Sequence, residues 1–239
     1  MYSIYKKEIT AFFGSLLGYM AMAVFLVLLG LLVWVFKDNQ LEGQYASLDI
    51  LFTNAPFVFM LLIPAITMRS FADEIRSGTL ELLVTRPLTE MQIILGKFFA
   101  SVTLAVICLL PTLLYYYTIT KLGHDIDSGA IWGSYLGLVF LSAAFIAIGI
   151  FTSSLTSNAI VAFILALFLC FIVYLGFDAV SDMGFLSGRL ANLVAGIGIN
   201  AHYRSISRGV VDLRDAIYFL TFIGIFLLFT KTSLESRKW

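Results

Sequence analysis

The chain has 239 residues, 60% of them hydrophobic and only 13% charged, with a mean hydropathy of +0.97 and a formal net charge of zero. A soluble domain carries about 25% charged residues, so much of this surface must be covered by lipid rather than water. A zero net charge also offers no basic field through which a nucleic acid would find the protein.

From the amino terminus, Tyr5, Ile9, Phe12, Phe13 and Leu16 recur at helical spacing on one face, with Ser3, Lys7, Thr10 and Gly14 opposite. This pattern predicts an interface helix over residues 1–15, lying flat at the cytoplasmic headgroups with its lysines toward anionic lipid. The apolar run Leu16–Phe36 is too long for a signal-peptide core and has no small-residue cleavage site after it, so it reads as an uncleaved first span. A helical span needs about 20 apolar residues to cross about 30 Å of hydrocarbon. Five further segments qualify: Ile50–Met68, Phe98–Ile119, Ala130–Phe151, Ala159–Phe177 and Leu213–Thr230. They must be helices, because lipid offers backbone groups no partners and the runs are too long for barrel strands. The expectation is an all-α membrane protein with six transmembrane helices in a single domain, 1–239. Pro56, Pro64 and Pro111 lie inside spans and are expected to kink them. Cys108 and Cys170 sit in apolar runs and read as small packing residues.

With the amino terminus in the cytoplasm, nine of the Lys and Arg residues fall inside and six outside. Four of the outer six (Arg189, Arg204, Arg208 and Arg214) share one long loop, and the loops near the first four spans are cleaner. Trp34, Trp132 and the run Tyr115-Tyr116-Tyr117 would form an outer aromatic belt. Both termini are therefore expected in the cytoplasm.

The link between spans two and three, residues 69–92, is the longest inner segment. Leu80, Leu83 and Val84 make a short apolar stripe, Pro87 stops that helix, and Thr89 with Gln92 has the spacing of a capping box that starts the next. A bare connector would be shorter, so this segment reads as a docking surface. Residues 178–212, on the outer side, are long and mixed. Within them Leu190–Ala201 is apolar but too short to cross, and is expected to be a re-entrant piece closing the outer end. Asn192 and Asn200 flank it, while Gly196 and Gly198 weaken it as a continuous helix.

Several sharper motifs fail their tests. Gly96-Lys97 looks like the tail of a phosphate-binding loop, but Met91 and Phe98 stand where Gly and Ser or Thr are required. Lys97 then reads as a snorkelling anchor, and the chain is expected to bind no ATP itself. His124 and His202 fall in loops, and a metal site of His124 with Asp125 and Asp127 is a weak pattern. No mid-span serine has a mid-span base, so an intramembrane serine protease is not indicated. Gly14/Gly18 and Gly133/Gly137 have the spacing of close helix packing. Ionisable residues are nearly absent from the span centres, which argues against an ion-driven carrier. The residues alone thus give a membrane bundle without an energy source and with a cytoplasmic docking segment. A transporter half, a channel and an anchor subunit all remain compatible.

The segment Asp73-Glu74-Ile75-Arg76-Ser77-Gly78-Thr79-Leu80-Glu81-Leu82-Leu83, followed by Pro87, Glu90 and Gly96-Lys97, resembles the signature of the type-two ABC-transporter permease family. The layout of interface helix, six spans, inner termini and outer re-entrant segment is similar over the whole chain. The resemblance implies a permease, not an enzyme, needing no cofactor of its own and sitting in a bacterial cytoplasmic (inner) membrane. It would act as a homodimer or with a paralogous permease, bound to separate ABC ATPase subunits. It also assigns Asp73, Glu74, Arg76, Gly78, Thr79, Leu80, Glu81 and Leu83 to a coupling helix seated in the ATPase, and suits the outer gate Asn192, Gly196, Gly198 and Asn200. Within the family, His202–Phe219 makes the chain most similar to the permease subunit of the gliding-motility transporter, an exporter or force-transmitting complex. The permease serving copper-site assembly in nitrous oxide reductase shares much of this but typically has a longer cytoplasmic start.

Overall fold

A computed structural model describes residues 1–36, 48–79, 89–122, 127–182, 188–209 and 212–236, and among these the chain is helical with no strand. Five helical segments are long and apolar enough to cross a membrane: Asp49–Arg76, Glu90–Lys121, Ser128–Leu155, Ala159–Asp182 and Leu213–Glu235. A sixth crossing is present if Tyr2–Phe13 and Gly18–Trp34, bent by 69° to each other, count as one span. The protein is an integral membrane protein.

Helix α1 (Tyr2–Phe13) is the amphipathic segment and α2 (Leu16–Trp34) follows the bend. Ser15 caps α2 by accepting from the Gly18 N–H. A side chain at Gly18 would collide with the Phe12 carbonyl and ring, so this glycine serves the bend within its own chain rather than a contact between spans. Helix α3 (Asp49–Thr67) runs unbroken through Pro56 and Pro64, and α4 (Ala72–Arg76) follows after a tight turn. The predicted capping box is present: Thr89 accepts from the Gln92 N–H, and Gln92 returns the bond to the Thr89 N–H. It starts α5 (Glu90–Leu109), which passes through a 3₁₀ turn at Leu110–Thr112, centred on Pro111, into α6 (Leu113–Leu122).

The core is organised around α7 (Ser128–Leu155). Its most apolar stretch is 78% buried within the protein, against 22% for Ala159–Asp182 and 28% for Leu213–Glu235. α7 packs against α3, α5, α8 (Ala159–Phe171) and α12 (Leu213–Glu235). The outward faces of α8 and α12 carry exposed Ile164, Phe168, Leu220 and Leu228, as lipid-facing helices do. Gly149 sets the spacing of α3 against α7, because a Cβ there would come within 2.9 Å of the Thr67 Cβ and closer still to its Oγ1.

Past α8 the helix loosens into a π-turn at Ile172–Gly176 and continues as α9 (Phe177–Asp182). The predicted apolar piece Leu190–Ala201 is not one helix. It is α10 (Arg189–Ile197) and α11 (Ile199–Ile206), broken at the extended backbone of Gly198. Gly133 and Gly137 face α11 and the turn after it: a Cβ at Gly133 would come 2.9 Å from the Gly209 Cα, and one at Gly137 3.4 Å from the Tyr203 ring.

Side-chain contacts place both chain ends at one end of the bundle. There α1 meets the start of α5 through Glu8 and Lys97, and the last turn of α12 meets the end of α7 through Ser233 Oγ and the Ser154 carbonyl, 3.3 Å apart. Trp34 with Tyr115, and Trp132 with Tyr116, pair at 5.8 and 6.0 Å between ring centroids at the far end.

Candidate functional site

Two polar constellations occupy the two ends of this apolar bundle. The first, at the end holding the termini, centres on Lys97 in the second turn of α5. Its side chain is 3% exposed, so the predicted snorkelling anchor is instead a buried cation. An ammonium has three N–H donors and no acceptor. Here all three are met: by Glu8 Oε1 of α1 at 2.8 Å, the Ser70 carbonyl after α3 at 2.7 Å, and Glu74 Oε1 of α4 at 2.9 Å. The Phe71 ring lies 5.1 Å away and adds a cation–π contact. The Ser70 carbonyl belongs to the turn just beyond α3, where a cation meets the negative end of the helix dipole.

The neighbouring residues explain why this cation is at this place. Gly96 lets α1 lie directly on α5, since a Cβ there would be 3.1 Å from Ile4 and 3.2 Å from the Met1 carbonyl. Ile4 and Glu8 are one turn apart on the packed face of α1, and Tyr5 reaches Thr103 Oγ1 at 3.1 Å. The face that α1 buries therefore includes Ile4 and Glu8, whereas Leu16 of the predicted stripe is exposed. The opening N–H groups of α4 have no capping side chain on their own helix. Ser153 of α7 supplies it from elsewhere, accepting from the Phe71 N–H at 2.8 Å and the Ala72 N–H at 3.1 Å. At the other end of α4, Ser77 Oγ returns to the Asp73 carbonyl at 2.7 Å and Gly78 takes φ 68°, a left-handed terminus that favours glycine.

Of the residues singled out in this segment, Glu74 faces inward onto Lys97, and Asp73, Arg76, Gly78 and Thr79 are exposed. Leu80, Glu81 and Leu83, with Pro87, lie outside the described residues. Lys7 completes the group at 3.5 Å from Glu74 Oε1, but is 61% exposed.

The second constellation is at the far end, on α9, α11 and the start of α12. Asn200 is 2% exposed and donates its amide to Asp178. His202, expected in a surface loop, lies in α11, with Nδ1 2.7 Å from Asp215 Oδ1 and Nε2 3.0 Å from the Gly196 carbonyl. Its ring stacks on Tyr218, whose hydroxyl donates to the Ile197 carbonyl at 2.6 Å. Asp212 caps α12 through the Arg214 N–H. Tyr203 donates its hydroxyl to the Phe52 carbonyl of α3 at 2.7 Å. That carbonyl lacks its usual helical donor, because the residue four positions on is Pro56. Burial pushes the Tyr203 phenol above its ordinary value, so it stays a donor. Of the four residues expected to form a gate, Gly198 makes the break, Gly196 lends its carbonyl to His202, and Asn200 is buried. Asn192 falls in α10, with its side chain outside the described residues.

Among the described residues no group of three or more His, Cys, Asp or Glu side chains is arranged to hold a metal. His124 and Asp125 lie outside them, and Asp127 caps α7 by accepting from the Ala130 N–H. Cys108 and Cys170 are free and buried.

A family model described as ABC-2 family transporter protein matches residues 37–194. A search of curated proteins returned no match.

Proposed function

The chain belongs to the ABC-2 family of transporter proteins, and from that premise we propose that it is the permease subunit whose segment 69–92 receives a separate ABC ATPase. The observation that carries this reading is the mounting of α4. Its polar residues Asp73 and Arg76, and Thr79 just after it, are exposed, while Glu74 and the opening N–H groups of the helix are fastened to α1, α5 and α7 through Lys97 and Ser153. A partner that moved α4 would therefore move three helices of the bundle with it. An anchor subunit would keep such a docking element but would have no need of a multi-span bundle behind it.

In this reading the ATPase closes on ATP and drives α4, the chain works as a dimer with itself or a paralogue, and the end holding the termini faces the cytoplasm of a bacterial inner membrane. The segment Arg189–Ile206, folded back at the far end, acts as the outer gate. A role in gliding motility rests on the similarity of His202–Phe219, which lies beyond the stretch matched by the family model.

The test is co-purification of an ATPase subunit, with ATP-dependent conformational change read from labels on α4 and α7. Glu74→Ala and Leu83→Asp are expected to leave the protein inserted and to uncouple ATP hydrolysis from that change. Normal coupling in both variants would refute the docking assignment. Cysteines at Ser3 and Ser236 should be shielded in intact cells and one at Asp127 should label from outside. Labelling at Ser236 from outside would mean an odd number of spans and would refute the six-span reading.

A further inference from the structure

At the far end of the bundle, a cavity of about 590 Å³ opens between α3, α7, the π-turn after α8, and α11. Volumes of this order suit a small ligand. Two other described cavities, of about 430 and 380 Å³, are walled mainly by aliphatic and aromatic side chains. This one is lined by Arg204 of α11 and Arg208 in the turn just after it, with Ser207 between them in sequence. Neither arginine makes an ion pair among the described residues, and both are exposed at the cavity. Asn200, one turn before Arg204, also lines it, and its Oδ1 is buried without a hydrogen-bond partner.

Two guanidinium groups lining one cavity are matched to the oxygens of a phosphate. The same cavity is lined by Asp49 at the start of α3. With Asp178 held just behind Asn200, the two arginines face no more than a modest positive excess, which suits a singly charged phosphodiester better than a doubly charged free phosphate. Phe52, Phe57 and Tyr174 form an apolar wall beside the charged groups. The cavity therefore presents a charged half and an apolar half at the end of the bundle that carries the Trp34–Tyr115 and Trp132–Tyr116 pairs, a ring set of the kind that marks a headgroup level. The π-turn that contributes Tyr174 is a helix irregularity of the kind often found at functional sites.

We propose that this cavity binds the phosphodiester headgroup of an anionic amphiphile, held by Arg204 and Arg208 and flanked by the aromatic wall. The proposal goes beyond the permease reading and does not depend on ATPase docking. The site is defined by its own chemistry whether the ligand is cargo or resident lipid.

The test uses the full chain in neutral detergent, titrated with phosphatidylglycerol, phosphatidylcholine or inorganic phosphate and read by native mass spectrometry. Wild type is expected to bind the first phosphatidylglycerol about tenfold more tightly than phosphatidylcholine, the scale of one charge-assisted hydrogen bond. Arg204→Gln with Arg208→Gln should abolish the preference, and the paired lysine substitutions should retain most of it. A second measurement needs no variant. Phosphatidylglycerol should slow phenylglyoxal modification of Arg204 and Arg208 in wild type, but not of Arg214, which does not line the cavity. Protection by inorganic phosphate with no preference for phosphatidylglycerol would uphold the phosphate site and assign it a free phosphate. Equal protection of Arg214, or a lipid preference that survives in the folded glutamine variant, would overturn the proposal.

Discussion

Replacing Lys97 with Met tests the hub at the termini end most directly. The substitution keeps the length and apolar stem of the side chain and removes only the ammonium. Glu8 Oε1 and Glu74 Oε1, both within 2.9 Å of the same nitrogen, would then face each other without a cation between them. Breaking a buried ion pair by deleting one partner costs about 3–5 kcal/mol. The lower end applies here, because the Glu8 and Glu74 side chains are 26% and 13% exposed and water relieves part of their repulsion. A loss of about 3 kcal/mol in a chain of this size lowers Tm by about 6–12 °C.

The assay is thermal unfolding in one lipid and at one scan rate, since membrane proteins commonly unfold irreversibly. Three further variants separate the hub from general damage. Lys7→Ala should change Tm by less than about 2 °C, because the Lys7 side chain is 61% exposed and such pairs contribute little. Lys97→Arg should fail to rescue, because a planar fork cannot reach three acceptors arranged around one point. The neutral triple variant Glu8→Gln, Lys97→Met, Glu74→Gln should regain much of the loss, as buried ionic clusters often do when every charge is removed together. If Lys97→Met melted within about 2 °C of wild type, or the triple variant were no better than the single one, the hub would not hold these helices together.

Gly149→Ala should lower Tm by about 4–8 °C, the effect of about 2 kcal/mol of overpacking against Thr67, and Thr67→Ala in the same chain should recover part of it. Tyr203→Phe leaves the Phe52 carbonyl buried and unpartnered at a cost of about 1–3 kcal/mol. Pro56→Ala, which returns a helical N–H to that carbonyl, should make Tyr203→Phe milder in a double-mutant melting cycle, and strict additivity would refute the pairing. Ser153→Ala removes the cap of α4 at about 1–2 kcal/mol. Its signature should be faster hydrogen exchange confined to Phe71–Ser77, and exchange unchanged there would show that the cap is not needed.

The membrane-crossing helices were legible because length and hydropathy alone define them. Predicted Ile50–Met68 and Leu213–Thr230 lie within Asp49–Arg76 and Leu213–Glu235, apart from boundaries that apolar composition cannot fix. The Thr89/Gln92 cap was legible because its chemistry is local. Lys97 was not, since a lysine at the end of an apolar run has the same sequence appearance whether it snorkels or is buried. Its partners lie 89 and 23 residues away. One signal was present: Glu8 stands one turn from both Ile4 and Phe12, an acid in line with apolar residues of an amphipathic helix. The Tyr203–Phe52 bond was hidden in the same way, although Pro56 advertised a carbonyl in need of a donor. At the far end, the composition of Leu190–Ala201 indicated a short apolar piece, but the break at Gly198 depends on where Phe177 packs, 3.0 Å from a Cβ built there.

The two polar constellations meet the same helix. At one end of α7, Ser153 holds the start of α4; at the other, Ser134 Oγ donates to the Ser207 carbonyl at 2.9 Å, next to the arginines of the far cavity. With 28 residues, α7 is about 42 Å long at 1.5 Å per residue, enough to reach from one end of the hydrocarbon to the other. Leu141–Ile150 is buried without interruption, so the middle of this helix has no lipid-facing side along which to slide freely. A close-packed element of this kind shifts as a body or not at all. Displacement of α4 by a docked partner would thus be passed to α11 through α7 without any conformational change inside the helix. That is the simplest route by which an event at Asp73–Thr79 would alter the cavity at Arg204, and Ser134 shares the α7–α11 seam with the close packing of Gly133 and Gly137. Ser134→Ala combined with Gly137→Ala, which loosens both parts of that seam, should therefore weaken any dependence of the far cavity on the state of α4 while leaving partner binding at α4 intact; if labels at Arg204 followed α4 unchanged in that variant, the link would have to run through α3 and Tyr203 instead.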